Sequence, residues 1–192
     1  TKITSQDMNG NSLLALDNLS LSADAKENNG LLDITVKYHA DSIEASGLSF
    51  QDANINLGFN SLDKDVLIEL NQLASKIQMN TKPEDLTTAY QNLIPVATKL
   101  LAKNPSLEIS DLSVVTAEGP IKSNGSVTID NNLYDTNNPM SLIGALNASA
   151  KGSAPAPFFE KLGMKAMLDM YVEQGLLIRD DTNLSFVVRK ES

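Results

Sequence analysis

The stretch SIEASGLSF, Ser42–Phe50, holds two alternating apolar pairs, Ile43 and Ala45, then Leu48 and Phe50, with one extra residue between them. Period-two alternation is the pattern of a strand with one buried face. An extra residue turns every later side chain to the other face, unless the strand bulges there or ends and restarts. The arrangement returns 64 residues later in SLEISDLSV, at Leu107, Ile109, Leu112 and Val114. It also stands earlier, in LLALDNLSL, at Leu14, Leu16, Leu19 and Leu21. Three copies predict an internally repeated strand unit, bulged or broken at Asp17–Asn18, Ser46–Gly47 and Ser110–Asp111.

Working outward, Asn28-Asn29-Gly30 reads as a turn, and Leu32, Ile34, Val36 and Tyr38 as the returning strand. His39–Ser42 reads as a connection and Gln51-Asp52 as a hairpin turn, before the strand Ala53, Ile55, Leu57, Phe59. Residues 13–59 thus form a four-strand antiparallel meander with one wet face. The period then changes. Leu62, Val66, Leu70, Leu73 and Ile77 make a helical stripe capped by Ser61 or Asn60. Thr81-Lys82-Pro83-Glu84 has capping-box spacing and opens a second helix over about 83–103, kinked at Pro95. Both helices are expected on one sheet face, through Leu70, Leu73, Leu86, Leu93 and Leu100.

The third copy returns through Glu118-Gly119-Pro120 to Ile121, Val127 and Ile129, interrupted weakly at Asn124-Gly125. A polar loop over 130–141, a small-residue strand Leu146–Gly152 and a helix Ala156–Gln174 stopped by Gly175 follow. A hairpin around Asp180–Asn183 closes the chain. The predicted fold class is α+β: an antiparallel bulged sheet with about three helices on one face. Residues 1–192 form one domain, with a partial repeat around 42–63 and 106–130.

Composition narrows the function. The 192 residues suffice for one real core, which must be aliphatic because aromatics make up 5% and tryptophan is absent. A net charge of −9 without any Lys/Arg cluster excludes nucleic acid and anionic headgroups as partners. Zero cysteines exclude thiol catalysis, disulfides and the usual structural zinc sites. No apolar run reaches the ~18 residues of a membrane span. The chain opens on Thr1 without a signal peptide, and reads as a fragment.

Three segments carry a likeness: DANINLGFNSLDKDVLIEL running from strand into helix, AYQNLIPVATKLLAKNPSLEIS from a proline-bearing helix into a strand, and MLDMYVEQGLLIRDDTNLSFVVRKES as the closing hairpin. Over most of residues 32–192 the chain resembles the C-terminal half of the YdgA-like proteins of Gram-negative cell envelopes, a family of unknown function. The resemblance implies a longer parent, anchored in the inner membrane by an N-terminal helix absent from this chain, with its bulk in the periplasm. It implies a chain trimmed at both ends, and supplies no site.

Chemistry is sparse. His39 is the single histidine, with Asp41 two residues on, but the chain has no Gly-x-Ser-x-Gly elbow. Asp130–Asn138 offers oxygen ligands but puts Tyr134 and Asp135 where a calcium loop needs Asp/Asn and Gly, so a solvated loop is the plainer reading. Met164, Met167 and Met170 recur at helical spacing, as an adaptable apolar-ligand or partner surface or as plain core. No phosphate-binding glycine loop is present. The expectation is a non-enzymatic periplasmic binding or scaffolding module without cofactor. It takes a protein partner or an apolar ligand, and homo-oligomers stay open. The alternatives are a hydrolase with a carboxylate or metal site, and a structural spacer.

Overall fold

A computed structural model of the protein describes residues 2–6, 12–80, 91, 93–135, 138 and 140–191. In chain order it has β1 (Ile3–Gln6), β2 (Ser12–Asp17), β3 (Ser20–Asn28), β4 (Leu31–Ala45), β5 (Leu48–Asp63) and α1 (Lys64–Asn80). Then come α2 (Ile94–Leu101), β6 (Ser106–Thr116), β7 (Gly119–Ile129) and α3 (Ser141–Ala145). The chain closes with β8 (Leu146–Pro155), α4 (Ala156–Lys161), α5 (Lys165–Glu173), β9 (Ile178–Asp180) and β10 (Asn183–Lys190). All ten strands lie in one antiparallel sheet, in the order β1-β2-β4-β5-β6-β7-β8-β10-β9, with β3 also on β4.

This corrects the expected fold class. More than half of the described residues are strand, so the molecule is sheet-dominated rather than a balanced α+β packing of three helices. The reason lies in β4 and β5, which run 15 and 16 residues without the connections expected at His39–Ser42 and Gln51–Asp52. Polar residues there suggested turns but are solvent-side strand positions. The helices are also short. Gly163, at φ +80, divides the expected helix Ala156–Gln174 into α4 and α5. Pro95 stands in the first turn of α2, where its missing N–H costs no bond, instead of kinking a long helix. The capping box at Thr81–Glu84 and Leu86 lie outside the described residues.

The first two helices do not layer onto the sheet as expected either. α1 continues directly from β5 and packs on α2, tied to it by Lys99 and Glu69 at 2.9 Å. Leu70, Leu73, Leu93 and Leu100 are only half-buried. The cap of α1 is Asp63, whose Oδ1 accepts from the backbone N–H groups of Asp65 and Val66 at 3.0 and 3.1 Å. Gly175 ends α5 as foreseen: at φ +71 its N–H reaches the Val172 carbonyl while Leu176 N–H reaches that of Tyr171.

The three phase slips are real, but they are not three copies of one bulged strand. At Ser46–Gly47, with φ +50 and +82, the chain makes a two-residue hairpin turn, so Ala45 faces Leu48 and Ile43 faces Phe50. At Asn18, φ +49, the edge breaks between β2 and β3, which lie end to end along β4. At Ser110–Asp111 β6 bulges against both neighbours, Ile109 pairing with Gly125 and Leu112 with Ser123.

Register sorts the sheet into two faces. One cross-sheet row reads Leu21, Tyr38, Ile55, Leu112, Ser123, Gly152, Phe186. The next reads Ala23, Val36, Leu57, Ile109, Gly125, Ala150, Val188. One residue beyond the second, on the other face, lie Asp24, Thr35, Gly58, Glu108, Ser126, Ser149 and Arg189. The well-buried core sits at one end, where Leu184, Leu168 and Ala156 meet Phe159, Val172 and Leu177.

Candidate functional site

An apolar face needs a second layer to bury it. Here that layer is incomplete among the described residues: Leu21 is 62% exposed, Tyr38 40%, Ile55 39% and Leu112 42%. These four belong to one cross-sheet row. A groove of about 450 Å³ lies on this face, lined by Tyr38, Ile55 and Leu112 of this row, by apolar neighbours that include Leu16, Leu19, Ile43 and Phe50, and also by His39, Asn54 and Ser113. Phe50 is met edge-on by Phe158 of α4, ring centres 6.0 Å apart. A smaller hollow of about 190 Å³ continues the apolar strip over Leu107, Ile109, Val127, Ala150 and Val188.

Why the groove forms where it does follows from the slips. The turn at Ser46–Gly47 keeps Ile43 and Phe50 on one face, and the break at Asn18 lets Leu16 and Leu19 share it. Asp52, φ +51, adds a residue to β5 against β6, which bends the ladder beside Ala53 and Ile55.

On the polar side of the same bend, His39 joins three strand segments. Its Nε2 lies 2.9 Å from Asp41 Oδ1 and its Nδ1 2.9 Å from Asn54 Oδ1. The Asn54 amide donates in turn to the Asp52 carbonyl at 2.9 Å, which turns its oxygen toward the imidazole. Asn18 donates to Asp41 Oδ2 at 2.6 Å. Both ring nitrogens therefore face acceptors, an arrangement that suits the doubly protonated ring. The Asn54 bond first, then Asp41, hold the His39 pKa above its ordinary 6.5. The Asn18 bond first, then His39, hold Asp41 below its ordinary 3.8.

These shifts set a sign for stability against pH. The His39 contribution is fully present below 6.5 and fades as pH rises through the raised value. The Asp41 contribution is present above 3.8 and fades as pH falls through the lowered one. The thermal midpoint of the wild type is thus expected to fall more steeply above pH 6.5 than that of His39→Asn. Parallel curves for the two proteins would mean the cluster contributes nothing.

A profile of a bacterial protein family of unknown function, DUF945, matches residues 1–189. The chain belongs to the DUF945 family. No curated protein matches it. Nor does any solved structure.

The other candidate residues of this DUF945 chain lie apart from the groove. Met164 precedes α5 and is half-buried, while Met167 and Met170 are 37% and 42% exposed. None of the three lines the groove, and the core position of α5 belongs to Leu168. Asp130 Oδ1 accepts from the backbone and amide nitrogens of Asn132, both at 2.9 Å, a local turn bond of the kind Asp favours. Thr136, Asn137 and Pro139 fall outside the described residues, among which no acidic or histidine cluster could hold a metal. The groove residues Tyr38, Ile55 and Leu112 were not singled out by their chemistry. Their only signal was the alternation itself, which shows a face but not whether anything covers it.

Proposed function

We propose that the chain is a non-enzymatic binding module that holds a hydrocarbon chain, such as a lipid acyl chain, on the apolar face of its sheet. The observation that carries this reading is the row Leu21, Tyr38, Ile55 and Leu112, left partly exposed across neighbouring strands. Isolated exposed apolar residues are ordinary, but a contiguous row with a groove beside it marks an interaction site. Protein partners need about one hydrogen bond per 100–200 Å² of interface. These four residues offer a single hydroxyl, on Tyr38, and the other polar groove residues are His39, Asn54 and Ser113 beside ten apolar ones, which favours hydrocarbon over protein. A structural spacer would gain nothing from an apolar row that the described residues leave partly exposed. His39 supports binding over hydrolysis, because both ring nitrogens are committed to Asp41 and Asn54.

The setting is the periplasm, as part of a chain anchored in the inner membrane. That part of the proposal rests on the resemblance to YdgA-like envelope proteins alone.

Titration of the purified protein with a fluorescent long-chain alkyl probe tests the reading. Ile55→Asp and Leu112→Asp are each expected to weaken binding about tenfold or more, since each side chain buries against ligand with ~1.5–3 kcal/mol. Thr35→Asp, in the polar-face row and away from the groove, should bind as wild type. Equal binding by all four proteins, or none by the wild type, would refute the proposal.

A further inference from the structure

Among the described residues the sheet is open on two sides, along β3 and along β10, and the residues there match. Among the described residues β3 pairs with β4 alone, and its nine residues are all exposed. At the other side β9 covers only Asn183–Ser185 of β10, leaving the outer edge from Phe186 onward unpaired, with Val187 65% and Val188 55% exposed. A bare edge of this length invites another strand. Six antiparallel pairings separate β3 from β10, so the two run in the same direction.

Each cross-sheet row begins on β3 and ends on β10. Leu21 and Phe186 close one row, Ala23 and Val188 the next, both on the apolar face. Asp24 and Arg189 close the row one residue further on, on the polar face. Two residues on, along that same face, Lys26 stands on one edge and Glu191 beyond the other. Charges that alternate minus, plus on one edge thus meet plus, minus on the other.

We propose that copies of this chain join edge to edge, β10 of one copy pairing in parallel with β3 of the next, so that sheet and apolar face run on from copy to copy. In the unstaggered register Arg189 meets Asp24, Glu191 meets Lys26, Phe186 meets Leu21 and Val188 meets Ala23. Opposite charges directly across a strand pair are favourable and like charges unfavourable. Two-fold pairings fit less well. Pairing β10 with itself so that Arg189 meets Glu191 sets Lys190 against Lys190 and overlaps only the last few residues. Pairing β3 with itself so that Asp24 meets Lys26 sets Glu27 against Ala23. A head-to-tail contact of this kind is heterologous, and grows into open chains of copies unless it closes.

Sedimentation velocity over a range of concentrations is the test. The wild type should pass beyond a dimer as concentration rises, and salt should weaken the association. Arg189→Asp and Asp24→Arg alone should each weaken association roughly three- to tenfold, through the lost pair and the new repulsion. An equimolar mixture of these two variants should regain wild-type association, because each supplies the charge the other now requires. A wild type that stays monomeric, or stops at a dimer, overturns the proposal. So does association that ignores either variant, or a mixture no better than its components.

Discussion

Leu184→Ala is expected to lower the free energy of unfolding in urea by ~2–5 kcal/mol, the range for a buried leucine whose surroundings cannot fully collapse. Leu184 is 4% exposed and forms, with Leu168 and Ala156, the cluster that joins α4 and α5 to the sheet. Its strand is held on both sides at this point, to Ala154 of β8 and to Arg179 of β9. The walls of the new cavity are therefore backbone-locked and cannot close in. For a domain of marginal total stability, ~5–15 kcal/mol, this loss is a large share. Val187→Ala, on the same strand but 65% exposed, is expected to stay within about 0.5 kcal/mol. Similar losses for the two variants would show that the core lies elsewhere.

Gly125→Ala is expected to destabilise by ~1–3 kcal/mol, an overpacking effect. A Cβ there would stand 2.7 Å from the Ser149 carbonyl oxygen and 3.3 Å from Ala150 Cβ. Both belong to β8, which is paired on its other side with β10, so the backbone must shift for the methyl to fit. Gly152 makes a useful comparison. Its Cβ would come within 2.5 Å of the Phe186 ring, which can swing aside, although Lys122 carbonyl oxygen at 3.1 Å gives less readily. Gly58 has nothing nearer than 3.6 Å, and its alanine variant should be neutral or slightly stabilising because the unfolded chain loses freedom. Urea unfolding should therefore rank the losses Gly125 above Gly152 above Gly58. Another order would contradict the register assigned to β7 and β8.

Strand content was legible because alternation survives in Leu32–Tyr38, Ala53–Phe59 and the ends of β6. The phase slip was legible too, but its form was not. A two-residue turn, a left-handed break and a bulge all skip one residue and restore the face, so arithmetic on apolar positions cannot separate them. The distinguishing signal was Gly47, whose freedom at positive φ makes Ser46-Gly47 a hairpin turn. Asp41 and Asp52 misled in the opposite direction. Carboxylates and amides favour turns, yet here they serve the His39 cluster on a continuous strand pair. Helix length was overread at Gly163 for want of a break in the apolar stripe.

Of the candidate site, His39 and Asp41 were visible as two residues apart, but in a segment that reads as a connection rather than as one strand face. The groove was not visible. Leu16, Tyr38, Ile55 and Leu112 come from four strands, and their meeting depends on registers set by the bulges at Asp52 and Ser110. Nor does alternation say that α1 and α2 will pack against one another instead of over the sheet.

The central claim is that a hydrocarbon chain occupies the apolar sheet face, and site mapping with a photoactivatable fatty-acyl probe tests it most directly. After irradiation of the native protein and digestion, label is predicted on Tyr38, Ile55 and Leu112, with competition by unlabelled long-chain lipid. Label spread over Thr35, Glu108 and Arg189 on the polar face, or label on the apolar row that excess lipid fails to displace, would contradict the account.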